Sequence, residues 1–228
     1  SQNISDLTGI GDFLALTHLT CFLNSITSLD LSNNTALIYL NCYVNLITSL
    51  NLSNNTALIY LNCFDNSITS LNLSANTALT LLDCHNNQLT SLDVSANPAL
   101  TTLNCGNNPL TSLDVSANPA LTTLYCNNNQ LTSLDLSANT ALTQLICSFN
   151  QLTSLDLRNG NNTMITYLNS TENPNLTCID VDDETWSNAN WTDIDSWTSF
   201  SEDCSAGDGG QTYVPDDNFE AYLEANGM

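Results

Sequence analysis

The 228-residue sequence predicts a mainly β solenoid. Three observations lead there. First, one 21-residue sentence recurs: Leu16 to Ala36 reads LTHLTCFLNSITSLDLSNNTA, and Leu100 to Ala120 reads LTTLNCGNNPLTSLDVSANPA. Six copies run without a gap from Leu16 to Ala141. A seventh, Leu142 to Met164, carries two extra residues, and a degenerate eighth spans Ile165 to Val181. Fixed self-similarity of this kind marks units that pack only on their neighbours. Second, with Leu16 as position 1, positions 1, 4, 6, 11, 14 and 16 are apolar in nearly every copy. In the second copy they are Leu37, Leu40, Cys42, Ile47, Leu50 and Leu52. Spacings of two within each half predict short strands with alternate residues inward. Third, 21 residues leave too few for a helix beside two such halves, so the repeats should hold little or no helix, and equal halves should curve little.

The elements follow in order. Residues 1–15 begin in mid-pattern and read as a partial N-terminal repeat or cap, and residues 16–181 form the array. Position 9 is asparagine throughout (Asn24, Asn45, Asn66, Asn87, Asn108, Asn129, Asn150, Asn173), and position 19 repeats it from Asn34 to Asn139. Asparagines buried at tight turns can satisfy backbone groups that stacked coils otherwise leave unpaired. Seven cysteines share position 6: Cys21, Cys42, Cys63, Cys84, Cys105, Cys126 and Cys147. They read as buried free thiols acting as small hydrophobes. A stacked column cannot converge four sulfurs on a zinc ion. Cys178 and Cys204 break the period and are expected to form a disulfide closing the array, which suits an extracytoplasmic protein. Residues 182–204 form a C-terminal cap, with Trp186, Trp191, Trp197 and Phe200 expected over the last coil. Residues 205–211 read as a linker. Residues 212–228 read as a short helix with Phe219, Tyr222 and Leu223 on one face, suited to a head-to-tail contact with another molecule.

The pattern LxxLxCxxNxLxxLDLSxNxx resembles the bacterial leucine-rich repeats. It is most similar to the short 21-residue class with two nested half-repeats, sometimes called IRREKO. That resemblance implies a solenoid of short parallel strands with low curvature. The segment from Asn173 to Cys204 resembles the C-terminal caps of leucine-rich repeat proteins from Bacteroidetes. The VPDDNFE stretch resembles what precedes a repeat block in related secreted proteins, so the chain reads as a slice of a larger one. The resemblance implies an extracellular or cell-surface bacterial setting.

Charge narrows the partners. One basic residue, Arg158, stands against 23 acids. Such a surface repels phosphate backbones and anionic membranes, so nucleic acid is not an expected partner. No apolar run reaches the roughly 18 residues of a membrane span, so no membrane insertion is expected.

Catalysis has little to stand on, and the chain does not read as an enzyme. His18 and His85 lie three repeats apart, roughly 14 Å at ~4.8 Å per coil. No phosphate loop or metal-ligand spacing appears. At position 15, Asp93, Asp114, Asp135 and Asp156 align on consecutive coils. Neighbouring charges ~5 Å apart repel by roughly 0.8 kcal/mol in water, which weakly bound calcium would relieve. The competing reading is a solvated polar stripe. Otherwise no cofactor is expected.

Variation marks the candidate site. The Thr-Ser-Leu-Asp half hardly changes, whereas outward positions of the first half vary freely. Position 3 reads His18, Tyr39, Tyr60, then Leu81 and Thr102. Position 7 reads Phe22, Tyr43, Phe64, His85, then Gly106, and position 5 adds Tyr125. Outward aromatics are typical of interfaces. The expected function is recognition of a protein or glycan through Phe22, Tyr39, Tyr43, Tyr60 and Phe64, with His18, His85 and Tyr125 at the margins. Burial by a flanking domain and plain coil-to-coil stacking are the competing readings of these rings. A structural spacer within a larger surface protein is the alternative function. An ice-binding Thr-Ser face (Thr27, Thr48, Thr69 and onward) is a third, disfavoured by the adjacent aspartates.

Overall fold

A computed structural model describes residues 3–206. Its strands, in chain order, are β1 (His18–Thr20), β2 (Tyr39–Asn41), β3 (Tyr60–Asn62), β4 (Leu81–Asp83), β5 (Thr102–Asn104), β6 (Thr123–Tyr125), β7 (Ser133–Asp135) and β8 (Gln144–Ile146). Then come β9 (Ser154–Asp156), β10 (Tyr167–Asn169), β11 (Cys178–Asp180), a single helix α1 (Glu184–Asn190) and β12 (Ser199–Ser201). Eight strands form one parallel sheet in the order β1-β2-β3-β4-β5-β6-β8-β10. Its register is fixed by the repeat: Tyr39 pairs with Tyr60, Leu40 with Leu61, Asn41 with Asn62. The mainly β solenoid of parallel strands is therefore present, with its one α-helix in the cap and short 3-10 turns at Ile10–Asp12 and Asn162–Met164.

The second sheet differs from the simplest expectation. It has four strands, β12-β11-β9-β7, and starts only at Ser133. In earlier coils the LxxLDL half runs without strand pairing, and adjacent coils stand apart there. Shallow gaps lined by Ser70, Asn72, Ser91 and Asp93, then by Ser91, Asp93, Ser112 and Asp114, mark that separation.

The core is the set of apolar positions read from the period. In the fifth coil Leu100, Leu103, Cys105, Leu110 and Val115 are fully buried, with Leu113 close behind. Each core position touches its own equivalent above and below, so one continuous hydrophobic column runs through the coils.

Two asparagine columns hold the turns. Asn108 at position 9 donates through Nδ2 to the Cys84, Cys105 and Gly106 carbonyls, each at 3.1 Å. Its Oδ1 accepts the Leu89 N–H at 2.9 Å. One side chain thus ties two coils together, and the same pattern recurs from Asn45 to Asn150. At position 19, Asn97 Nδ2 donates to the Leu73 and Asn76 carbonyls of the preceding coil.

Position 8 is left-handed in all eight coils: Leu23, Val44, Asp65, Asn86, Asn107, Asn128, Phe149 and Glu172 have φ of 50° to 59°. Asparagine tolerates this region, whereas a β-branched residue is strained in it. Val44→Asn should therefore raise stability by about 1 kcal/mol, read as a higher urea midpoint at unchanged slope.

The seven position-6 thiols are free and buried. Burial pushes Cys63, Cys105 and Cys147 up to about 12, and Cys21 at the array's end to about 11. Thiolate is the reactive form. Folded protein should therefore resist iodoacetamide at pH 8 for hours, with Cys21 first to react. In 8 M urea all seven should label together, as counted by intact mass.

The C-terminal end is closed as the cysteine pattern suggested. Cys178 and Cys204 are bonded. Asp183 caps α1 by accepting the Trp186 N–H at 2.8 Å. Trp191 and Phe200 are buried, and Trp191 Nε1 donates to the Ile165 carbonyl at 3.1 Å. Trp186 packs against the core edge. Trp197 does not cover the last coil: it is 53% exposed, on the turn closed by the Thr198 N–H to the Asp195 carbonyl just before β12. At the other end, Ile4 to Phe13 bonds to Asn24, Ser25 and Asn34 like the second half of a preceding coil. The expected 212–228 helix lies outside the described residues.

Candidate recognition surface

Residues at positions 3, 5 and 7 point away from the core because position 4 and the position-6 thiol point into it. This brings Tyr39, Tyr60, Tyr43, Phe64 and Phe22 onto one face of the eight-stranded sheet. They form two columns. Phe22, Tyr43, Phe64 and His85 stack at successive centroid distances of 4.5 Å, with interplanar angles of 4°, 6° and 14°. His18, Tyr39 and Tyr60 stack at 5.7 and 4.2 Å. The repeat distance of the columns matches the strand spacing of a sheet.

Stacking therefore accounts for part of the aromatic signal: each pair contributes on the order of 0.5–1.5 kcal/mol to holding coils together. The first column stops at His85 because position 7 of the next coil is Gly106. A Cβ on Gly106 would lie 2.9 Å from Asn127 Oδ1. His85 Nδ1 sits 2.7 Å from Asp83 Oδ1 and 3.1 Å from the Asn104 amide nitrogen. Tyr125 stands apart from both columns and donates its hydroxyl to Gln144 Oε1.

The structure adds residues that the sequence reading passed over. Leu23, Leu46 and Ile59 are 43%, 55% and 41% exposed beside the columns. They occupy positions 8, 10 and 2; coils four to six fill these with Asn, Gln, Pro or Thr, while Phe149 returns an exposed apolar side chain at position 8 of the seventh coil. Comparing every position across copies, rather than strand positions alone, would have found them. Nothing in coil stacking requires these aliphatic side chains to face solvent.

The aspartate row has a different role. Asp93 Oδ1 accepts the Ser95 N–H at 2.9 Å, and Asp30 and Asp114 do the same for Ser32 and Ser116. The hydroxyl and backbone N–H of that serine hold these carboxyls below the usual range. Asp156 is lowered mainly by Arg158, whose Nη2 lies 2.6 Å from Asp156 Oδ2. Arg158 also reaches Asp180 at 3.5 Å. Among the described residues no three His, Cys, Asp or Glu side chains are grouped to hold a metal ion.

A depressed folded-state pKa contributes stability above the unfolded value and loses it as pH falls through the folded one. Stability should therefore drop below about pH 4. Asn51 and Asn72 make the same turn to Ser53 and Ser74. A triple Asp30→Asn, Asp93→Asn, Asp114→Asn variant should thus hold its neutral-pH melting temperature. It should lose part of the acid-induced fall, measured by thermal melts from pH 7 to pH 2.5.

Comparison with known proteins bears on the repeat directly. Residues 77–118, 98–139 and 119–159 match the family described as leucine rich repeats in two copies. The chain has the leucine-rich repeat fold. The functional domain of InlJ from Listeria monocytogenes, which includes a cysteine ladder, is 40% identical over 80% of this chain, with a TM-score of 0.71. A leucine-rich repeat protein of Leptospira interrogans, 21% identical over 84% of the chain at a TM-score of 0.66, shares the fold. YopM from Yersinia enterocolitica is 26% identical over 74% of the chain, with a TM-score of 0.60. The chain spans 43%, 56% and 39% of these three structures respectively. No curated protein matches it.

Proposed function

We propose that this chain is a non-enzymatic, extracellular bacterial recognition module. It binds a protein or glycan partner through the aromatic face of its first four coils. One observation carries the reading: Leu23, Leu46 and Ile59 stand in solvent beside the ring columns of coils one to four. Leucine-rich repeat proteins are generally interaction modules rather than enzymes, and internalin-like neighbours are secreted or surface proteins. A disulfide fits the same setting.

A spacer reading is favoured by a different observation, the stacking of the rings on each other. A substitution that spares the stacks separates the two. Leu46→Asp with Ile59→Asp touches exposed side chains outside the columns and should leave the melting temperature within 2–3 °C. On paired protein and glycan arrays, the ligands captured by the wild-type chain should be lost from this variant by tenfold or more. Unchanged capture would place binding elsewhere, and absence of any ligand for the wild-type chain would favour the spacer.

A further inference from the structure

The way the rings are presented restricts what can bind them. An aromatic ring is negative on its faces and positive at its edge. Here the faces are already used. Planes within 14° of parallel at 4.5 Å leave Phe22, Tyr43, Phe64 and His85 covering one another. Tyr39 is covered on both sides, by His18 and Tyr60. Because the stacks run along the coil axis, ring planes stand across that axis and their edges point outward. Only a terminal ring has a face not covered by another ring. Cations bind aromatic faces, so basic side chains and quaternary amines have little purchase here. A sugar ring laid flat on an aromatic platform also needs an exposed face.

Charge points the same way. The chain carries a formal charge of −22. Yet at positions 3, 5 and 7 of all eight coils the one carboxylate among the described residues is Asp83, and it is paired with His85. Within the coils most other acids lie in the opposite half, in the row Asp30, Asp93, Asp114, Asp135, Asp156 and Asp180, with Asp65 and Glu172 at position 8 on the margin. The sheet face is thus nearly neutral, aromatic and amide-bearing (Asn41, Asn62, Asn104), with Leu23, Leu46 and Ile59 at its margin and one marginal carboxylate, Asp65, held by the Asn86 amide. Depletion of charge with enrichment of aromatics is the signature of a protein interface core.

We infer, resting on the recognition reading above, that the partner of this face is a polypeptide presenting an uncharged apolar surface. Its contact residues are aliphatic, methionine or aromatic side chains that meet ring edges. It is neither a basic protein drawn by the net charge nor a carbohydrate. Thioethers and aromatic faces both pack well against ring edges, and a contact without charges is insensitive to screening.

The test is selection of phage-displayed random 12-residue peptides on the whole chain, in parallel with a glycan array. Enriched peptides should be rich in Leu, Ile, Met, Phe or Trp with net charge near zero. Their Kd should change less than twofold between 50 and 500 mM NaCl, and should weaken tenfold or more against Leu46→Asp with Ile59→Asp. Peptides rich in Lys or Arg that bind this face with a steep salt dependence would overturn the inference while leaving the recognition reading intact. Glycans captured through this face would do the same. Peptides indifferent to the double substitution would overturn the site itself.

Discussion

Replacing Asn108 by alanine should destabilise the array by about 1–3 kcal/mol, the cost of leaving the buried Leu89 N–H without its acceptor, while the Cys84, Cys105 and Gly106 carbonyls each keep a second donor. The substitution removes donors to three carbonyls and the acceptor for Leu89 N–H, across two coils. The replacement methyl fills none of that hydrogen-bonding capacity, and water has no access to a turn this buried. Because coils are stabilised by their neighbours, the loss should also split the unfolding transition, with the two flanks melting separately. Urea titrations followed by circular dichroism would read both effects. Exposed Gln130→Ala in the next coil, with a shift within about 0.5 kcal/mol, is the control.

The second large effect is expected at the disulfide. Cys178 and Cys204 are separated by 26 residues, for which loop-closure entropy assigns about 3–4 kcal/mol. Cys204→Ser should release the segment that holds Trp191 and Phe200 against the last coil. The three tryptophans of the chain all lie in this cap. Tryptophan fluorescence therefore reports the cap alone, while circular dichroism reports the array. In Cys204→Ser the fluorescence transition should move to lower urea and separate from the dichroism transition. In the parent chain the two should coincide.

Much of this fold was readable because a repeat states each rule many times. The leucines, the cysteine column and the asparagines are each forced by stacking, and the disulfide pair stood out by breaking the period. What was not readable depends on one end or one neighbour. Trp197 resembles the other cap aromatics in type, but its exposure follows from where the chain turns to start β12. The missing strand pairing in the early LxxLDL halves reflects coils that stand apart, which identical sequences above and below do not announce. At the candidate site the rings were legible as outward positions. Their edge-on presentation was not, since it arises only when Tyr43 finds Phe22 on one side and Phe64 on the other. Leu46 and Ile59 were missed for a simpler reason: they lie outside the strand, at positions held mostly by Thr, Ser, Gln or Pro elsewhere.

The division between stacking positions and recognition positions can be tested by giving the early coils the outward residues of the sixth. Tyr39→Thr, Tyr60→Thr, Tyr43→Asn and Phe64→Asn copy Thr123 and Asn127. Binding of an array-identified ligand and the melting temperature would be measured on the same preparation. The expected result is a folded array, with a loss of about 2.5–7.5 kcal/mol for the five dismantled ring pairs and no detectable binding. Retained binding by the folded variant would contradict recognition at this face.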